Sequence, residues 1–363
     1  MGQRQHTVPK SYLLGFSDPR GRLHAFDRQG QRQLPISVGD ASVVTDFYQM
    51  TGGVDVAMVE RRVLGDIEGE AAGVFSRIRK GESAIDEKAQ SALGRFIAMQ
   101  LVRTTRARQW DEDVADWYGK IWFQGMTRAD VALRFRENGI EPLEEQIDAV
   151  LELVQHPDRF RFKPPQGSFL LLMLKMYLRL LPYLNEGWNW IVVHSSGRPF
   201  LTSDHPVVMV GDLVNGGVGV ASAAEIWLPV GRHHAVVLSR DYSLPPVLLS
   251  IPSDHVRRLC QRIALEAQRW IYWHPKDSAL KDIDVPSRGK NLVVDSVGWR
   301  DRPDGLVGEI IRFGDSRPKV TGECLLSGRL VIDQEAVFDG LRTRDELLNE
   351  RGSPASKTEH GRP

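Results

Sequence analysis

The sequence predicts an α+β protein: a helix-rich N-terminal part packed on an antiparallel β-sheet, followed by a β-rich C-terminal extension. Three observations carry that expectation. Apolar residues recur at helical spacing through most of residues 54–184, alternating β-branched and aromatic runs take over from Trp188, and 42% of the 363 residues are hydrophobic, enough for one large core or two modest ones. The expected divisions are a mixed helical and sheet domain over 1–285, a strand-rich extension packed on it over 286–349, and a disordered tail over 350–363.

The elements follow in order. The chain opens on QRQHTVPKSYLLGF, residues 3–16, in which Val8, Tyr12, Leu13 and Phe16 have the spacing to anchor the segment against helices and so hold His6 in place. GRLHAFDRQGQRQLPISV turns at Gly21 and Gly30 and predicts a short hairpin. Helical spacing then runs from about 54 to 80 and again from about 85 to 110. The second stretch opens on Asp86 and Glu87 and closes on Arg103, Arg106 and Arg108, the polarity that a helix macrodipole favours. Further helices are expected near 111–124, 127–138, 141–155 and 166–184. The last holds SFLLLMLKMYLRLLPYL, which is short for a bilayer span and carries Lys175, Arg179 and Pro182, so it reads as a buried core helix with a solvated basic edge. Strands 188–194 and 199–203 are expected to pair as a hairpin about Ser195, Ser196 and Gly197, and two more strands flank Gly231. A helix from Ser253, its N-cap candidate, to Trp273 precedes a strand-rich remainder.

Composition excludes several classes of function. Lys plus Arg and Asp plus Glu number 47 each, so no global field draws the chain to nucleic acid or an anionic membrane. Cys260 and Cys324 lie far apart and form no CxxC spacing, and no apolar targeting segment follows Met1, which together point to a cytoplasmic protein with inert thiols. His233 and His234 are adjacent, so on a strand they face opposite ways and do not jointly ligate one ion. No P-loop, HExxH, GxSxG or dinucleotide glycine pattern is present.

Polar residues nevertheless fall where a core is expected. Val56, Glu60, Val63, Ile67, Val74 and Ile78 share one stripe at a repeat of about 3.6 residues, which places Glu60 among apolar neighbours. Gly65, Gly69 and Gly73 are potential breaks in that helix. On the next helix Ala89, Leu93, Phe96, Ile97 and Gln100 share a face, with Arg103 at its flank as the natural cation for Glu60. A buried carboxylate or amide is costly without partners, so these groups invite one another, either as a functional cluster or as a network that fixes how the helices cross. TSDHP, residues 202–206, gathers further donors and acceptors at a strand end. There Asp204 is a metal ligand, a general base or a turn-former.

The order of these landmarks resembles a bacterial family named domain of unknown function 4238. The resemblance rests on QHTVPKSYLLGF, DFY at Asp46–Tyr48, the glutamate at Glu60, FIAMQLVRTTRAR, PFLTSDHPV and IWLPV, and spans roughly residues 3–275. It implies a bacterial intracellular protein of unassigned activity whose polar landmarks fall on His6, Glu60, Gln100, Arg103, Ser203 and Asp204. Two positions depart from the pattern: proline is usual at Thr105 and asparagine at His205.

Two functions are weighed on these residues. In the first, a hydrolase acts on a phosphoester, in a nucleotide or nucleic acid: His6, Glu60 and Asp204 supply acid–base groups or ligate a divalent metal, Gln100 orients a water or substrate, and Arg103 stabilises a phosphate. In the second, a module without catalysis binds a small molecule or protein, with Trp188, Trp190, Trp270 and Trp273 lining its groove and the polar network purely structural. Backbone contact to nucleic acid through Arg95, Arg103, Arg106 and Arg108 is a weaker third.

Overall fold

The computed structural model describes residues 4–45, 47, 59–164, 167–211, 219–245, 248–286, 293–298, 309–314 and 325–326. The described residues form an α+β molecule with eight helices, as expected.

The opening segment behaves as its apolar spacing requires. Strand β1 (Arg4–His6) pairs antiparallel with β4 (Val43–Thr45), and the short helix α1 (Lys10–Leu13) runs into a 3-10 turn, Leu14–Phe16. Val8, Tyr12, Leu13 and Phe16 are fully buried. Tyr12 sits in an aromatic cluster with Phe16, Phe75 and Phe96, ring centroids 5.6–5.8 Å from its own. Its hydroxyl lies 2.8 Å from Thr202 Oγ1 and donates to the Pro229 carbonyl at 2.6 Å, which ties the first turn of chain to strands of two different sheets. Gly15 is required beside it: a Cβ there would stand 2.4 Å from Arg79 Nη2 and 2.5 Å from the Val230 carbonyl.

The predicted hairpin is β2 (Arg22–Asp27) with β3 (Arg32–Ser37), and they belong to a four-stranded sheet of order β3-β2-β11-β6. In that sheet β6 is Thr202–Ser203 and β11 is Trp270–Trp273. The second sheet, of order β10-β5-β9-β8-β7, is antiparallel except where β10 (Leu249–Ser250) runs parallel to β5 (Asn189–His194). Its other strands are β7 (Val208–Gly211), β8 (Ala223–Pro229) and β9 (His234–Ser239). The strands expected about Gly231 are thus β8 and β9, paired antiparallel.

Three expectations about elements need correction. The hairpin of 188–194 with 199–203 does not form: β5 pairs with β9 and β10, while β6 crosses to the other sheet and pairs with β11. Pro199 has no N–H for a ladder, and Ser195 closes the connection locally through Oγ to the Arg198 carbonyl at 2.7 Å. The helix of 85–110 stops at Val102. Thr104 then caps a new helix by accepting the Ala107 N–H at 3.1 Å, so Arg106 and Arg108 begin that helix rather than close the previous one. The helix of 253–273 ends at Glu266, its N-cap position is Pro252 rather than Ser253, and the aromatic run Trp270–Trp273 is the strand β11.

The helices are α2 (Gly65–Arg79), entered through a π-helical turn at Val59–Leu64, α3 (Glu87–Val102), α4 (Thr105–Gln124), α5 (Arg128–Glu137), α6 (Glu144–Val154), α7 (Ser168–Asn185) and α8 (Ser253–Glu266). Helix α2 continues through Gly69 and Gly73 without a break. Helix α3 packs against α2 and α7, and α8 against β6 and β7. The leucine-rich α7 is half-buried rather than buried all round: Phe169, Leu170, Met173 and Tyr177 face the core, whereas Leu171, Leu178, Lys175 and Arg179 are exposed. Among the described residues no helix is long and apolar enough to cross a membrane.

In the extension, β12 (Val293–Gly298) and β13 (Glu309–Gly314) form an antiparallel hairpin. Leu325 and Leu326 donate their N–H groups at 2.8 and 3.0 Å to the buried carboxylate of Glu225 on β8, which also accepts from Trp227 Nε1 at 2.8 Å. The expected tail at 350–363 and Cys324 lie outside the described residues.

Candidate functional site

The predicted polar residues come from four elements, and their surroundings differ. Gln100 and Arg103 leave α3 on its inner face, each only 1% exposed. Arg103 Nε donates to the Thr7 carbonyl at 3.0 Å, and its Nη1 meets Glu68 Oε1 at 2.7 Å. The carboxylate that meets Arg103 is therefore Glu68 on α2, where the sequence reading had placed Glu60. Glu60 falls in the π-helical turn Val59–Leu64, and its side chain lies outside the described residues. The apolar stripe read from the sequence continues into α2, where Glu68 lies. Glu68 was missed because that stripe, Ile67, Val74 and Ile78, is buried and passes beside it rather than through it.

His6 ends β1 in the same neighbourhood. Its Nδ1 lies 3.1 Å from the Ala41 carbonyl, which can only accept, so Nδ1 carries the proton and Nε2 keeps its lone pair. Burial pushes the imidazole below its ordinary pKa. The charge of Lys10 adds to the effect, and the Ala41 carbonyl and the charge of Glu68 oppose it. Glu68 thus acts on both His6 and Arg103. Both polar atoms of the Gln100 amide, and Arg103 Nη2, are buried without a hydrogen-bond partner among the described residues.

Asp204 is 3% exposed at the end of β6. Its carboxylate accepts the main-chain N–H groups of Gln268, Arg269 and Trp270 at 2.7, 2.8 and 3.0 Å, while its own N–H donates to the Trp270 carbonyl. It staples the turn between α8 and β11 to the end of β6. Neighbouring Ser203 is turned on its own loop, donating from Oγ to the His205 carbonyl at 2.8 Å.

Asp204 also lines a cleft of about 580 Å³, together with Thr7, Ser42, Thr105 and Trp270. Ser42 holds a left-handed backbone at φ 52°, fixed by its N–H and Oγ on the Tyr272 hydroxyl at 2.9 and 3.0 Å and by its carbonyl accepting the Thr7 N–H. Thr105 is the first residue of the 20-residue helix α4, so the opening turn of that helix meets the cleft. Arg28 and Arg269 line the cleft together with Asp204. Arg269 is held in place by a bidentate pair with buried Asp27, at 3.0 and 2.9 Å, and lies over the Trp270 ring. Arg28 is anchored on main-chain carbonyls, including that of Pro286 at 2.8 Å.

Other sequence candidates resolve differently. Arg95, Arg103, Arg106 and Arg108 each meet a glutamate, namely Glu70, Glu68, Glu266 and Glu112. Of the four tryptophans, Trp188, Trp190 and Trp273 fill the core and Trp270 reaches the cleft. Cys260 is buried, which pushes its thiol up to about 11. Among the described residues no group of three or more His, Cys, Asp or Glu side chains is arranged to hold a metal ion.

A family model described as "Protein of unknown function (DUF4238)" matches residues 4–277, which takes in every candidate residue above. No curated protein and no solved structure matches the chain.

Proposed function

The chain belongs to the DUF4238 family, whose description assigns no activity, and from that premise we propose that its cleft binds a small phosphate-bearing molecule of nucleotide size. The observation that carries this is the lining itself: two arginines and the opening turn of a long helix line a space of about 580 Å³, within the usual range for small-molecule sites. Trp270 offers an aromatic face on which a base or other flat group would lie.

Binding is tested by calorimetric titration of the full chain with inorganic phosphate and with adenine and guanine nucleotides. Thr105→Asp places a negative charge at the helix start, where it favours the helix but repels an anion. The expected result is that at least one of these ligands binds the natural chain and binds Thr105→Asp at least about tenfold more weakly, at unchanged thermal stability. No binding by the natural chain, or equal binding by both, rejects the proposal.

Hydrolysis of the bound phosphoester is a second reading, favoured by His6. A neutral imidazole whose Nδ1 proton is committed to a carbonyl presents Nε2 as a base, and Thr7, the next residue, lines the cleft. In this reading Arg103 holds the cleft residue Thr7 by its carbonyl, and Asp204 fixes the cleft wall. His6→Asn is expected to cut turnover of a chromogenic phosphoester by about 10²–10⁴-fold while leaving ligand binding intact. Turnover unchanged in His6→Asn leaves the binding function without the chemistry.

A further inference from the structure

Strands β5 and β9 run antiparallel with His194 directly opposite His234. The next pair along, Ser195 and His233, is joined by the Ser195 N–H donating to the His233 carbonyl at 2.9 Å. Hydrogen-bonded and non-bonded pairs alternate along such a ladder, so His194 and His234 occupy a non-bonded position, where facing side chains stand closest. Their ring centroids are 4.9 Å apart at an interplanar angle of 56°, and both residues are half-buried, so solvent reaches them.

We propose that His194 and His234 form a two-imidazole site for a divalent late first-row transition ion, with solvent filling the remaining positions. The distances fit. An imidazole nitrogen binds such an ion at about 2.0–2.1 Å, so each ring centre lies about 3.2 Å from the metal and two rings at a tetrahedral angle lie about 5.2 Å apart. The observed 4.9 Å is close to that value. His233 stands 6.3 Å from His194, near the limit of about 6.4 Å reached only when two ligands lie on opposite sides of the ion. Its Nδ1 is also engaged with the Ser195 carbonyl at 3.0 Å. The ligand set is therefore two histidines.

The chemistry agrees with the geometry. Neutral imidazole is the form that ligates, and an ordinary imidazole, of pKa about 6.5, is neutral near pH 7.5. Imidazole sites follow the affinity order that places copper(II) above nickel(II) and zinc(II), so copper(II) is the expected ion. A bound ion would clamp the end of β5 to β9 at the point where the chain leaves one sheet for the other.

The test is equilibrium titration of the metal-free full chain with copper(II), nickel(II) and zinc(II) near pH 7.5. Copper is expected to bind most tightly, with His194→Asn and His234→Asn each weakening it at least about tenfold and His233→Asn changing it less than about twofold. Pulsed electron paramagnetic resonance of the copper-loaded natural chain gives a readout independent of how any variant folds, and should report two coupled imidazoles. Natural binding in both Asn variants, no tight copper site, or coupling to one or three imidazoles would overturn the proposal.

Discussion

Asp204 and Arg103 are both nearly sealed from solvent, yet their chemistry divides them. A carboxylate that accepts three main-chain N–H groups is spent on holding a turn, and removing it strands all three donors. Asp204→Ala should therefore lower unfolding free energy by about 3–5 kcal/mol in urea titration, and Asp204→Asn by less. For Arg103 the partner is the question. A double-mutant cycle of Arg103→Met with Glu68→Gln is expected to give a coupling of about 1–2 kcal/mol, reduced from a fully buried pair because Glu68 is 30% exposed. A coupling near zero would remove Glu68 from the cluster. At this scale the sequence was informative about Gln100, which is buried as the apolar spacing around it implies; Arg103, Ser203 and Asp204 are buried as well. Which side chain meets which was not legible, because Glu68, the partner of Arg103, lies beside the apolar stripe rather than in it.

Elements were legible where one local signal sufficed. The β2–β3 hairpin has its turn residues, β8 and β9 have alternation about Gly231, and Asp86 caps α3 by accepting the Ala89 N–H at 2.7 Å. They were misread where two signals competed. Apolar spacing runs on through Arg103, but Thr104 offers its side chain to the backbone of the next turn and ends one helix by starting another. Thr104→Ala is accordingly expected to destabilise the chain by about 1 kcal/mol in thermal or urea unfolding. The β5–β6 connection is a similar case, since the strand composition was right and the pairing partner lay about 70 residues further on. Gly15→Ala tests the closeness of the opening segment to α2 and the β8–β9 turn: an added methyl at 2.4–2.5 Å from Arg79 and Val230 should cost about 1–3 kcal/mol, read as a lowered melting temperature.

Across the whole molecule, pH acts through histidines. His6, His233, His234 and His274 are all held below the ordinary value of 6.5, burial being the first cause in each. An imidazole that resists protonation when folded binds fewer protons than it does unfolded. Its effect on stability is absent well above pH 6.5, and stability is lost as pH falls from there toward the lowered folded value. Metal-free chain should therefore unfold more easily at pH 5 than at pH 7, and His6→Asn should flatten that dependence; an unchanged slope would mean that His6 is not held neutral. The other whole-molecule tie is Glu225, which joins β8 to Leu325 and Leu326. Glu225→Ala leaves three N–H donors unpaired and is expected to cost about 2–4 kcal/mol, with faster proteolytic release of the segment beyond 286.

The hydroxyl of Tyr12 carries a further consequence, one of timing. Its two partners, Thr202 and Pro229, are 190 and 217 residues downstream. At translation rates of about 5–20 residues per second, the aromatic ring waits on the order of 10–40 s after leaving the ribosome before both partners exist. During synthesis the earliest part of the polypeptide is thus among the last to find its place, and its greasy side chains are a natural handle for chaperones. Stalled nascent chains ending before residue 229 should leave this stretch open to protease, and longer ones should protect it.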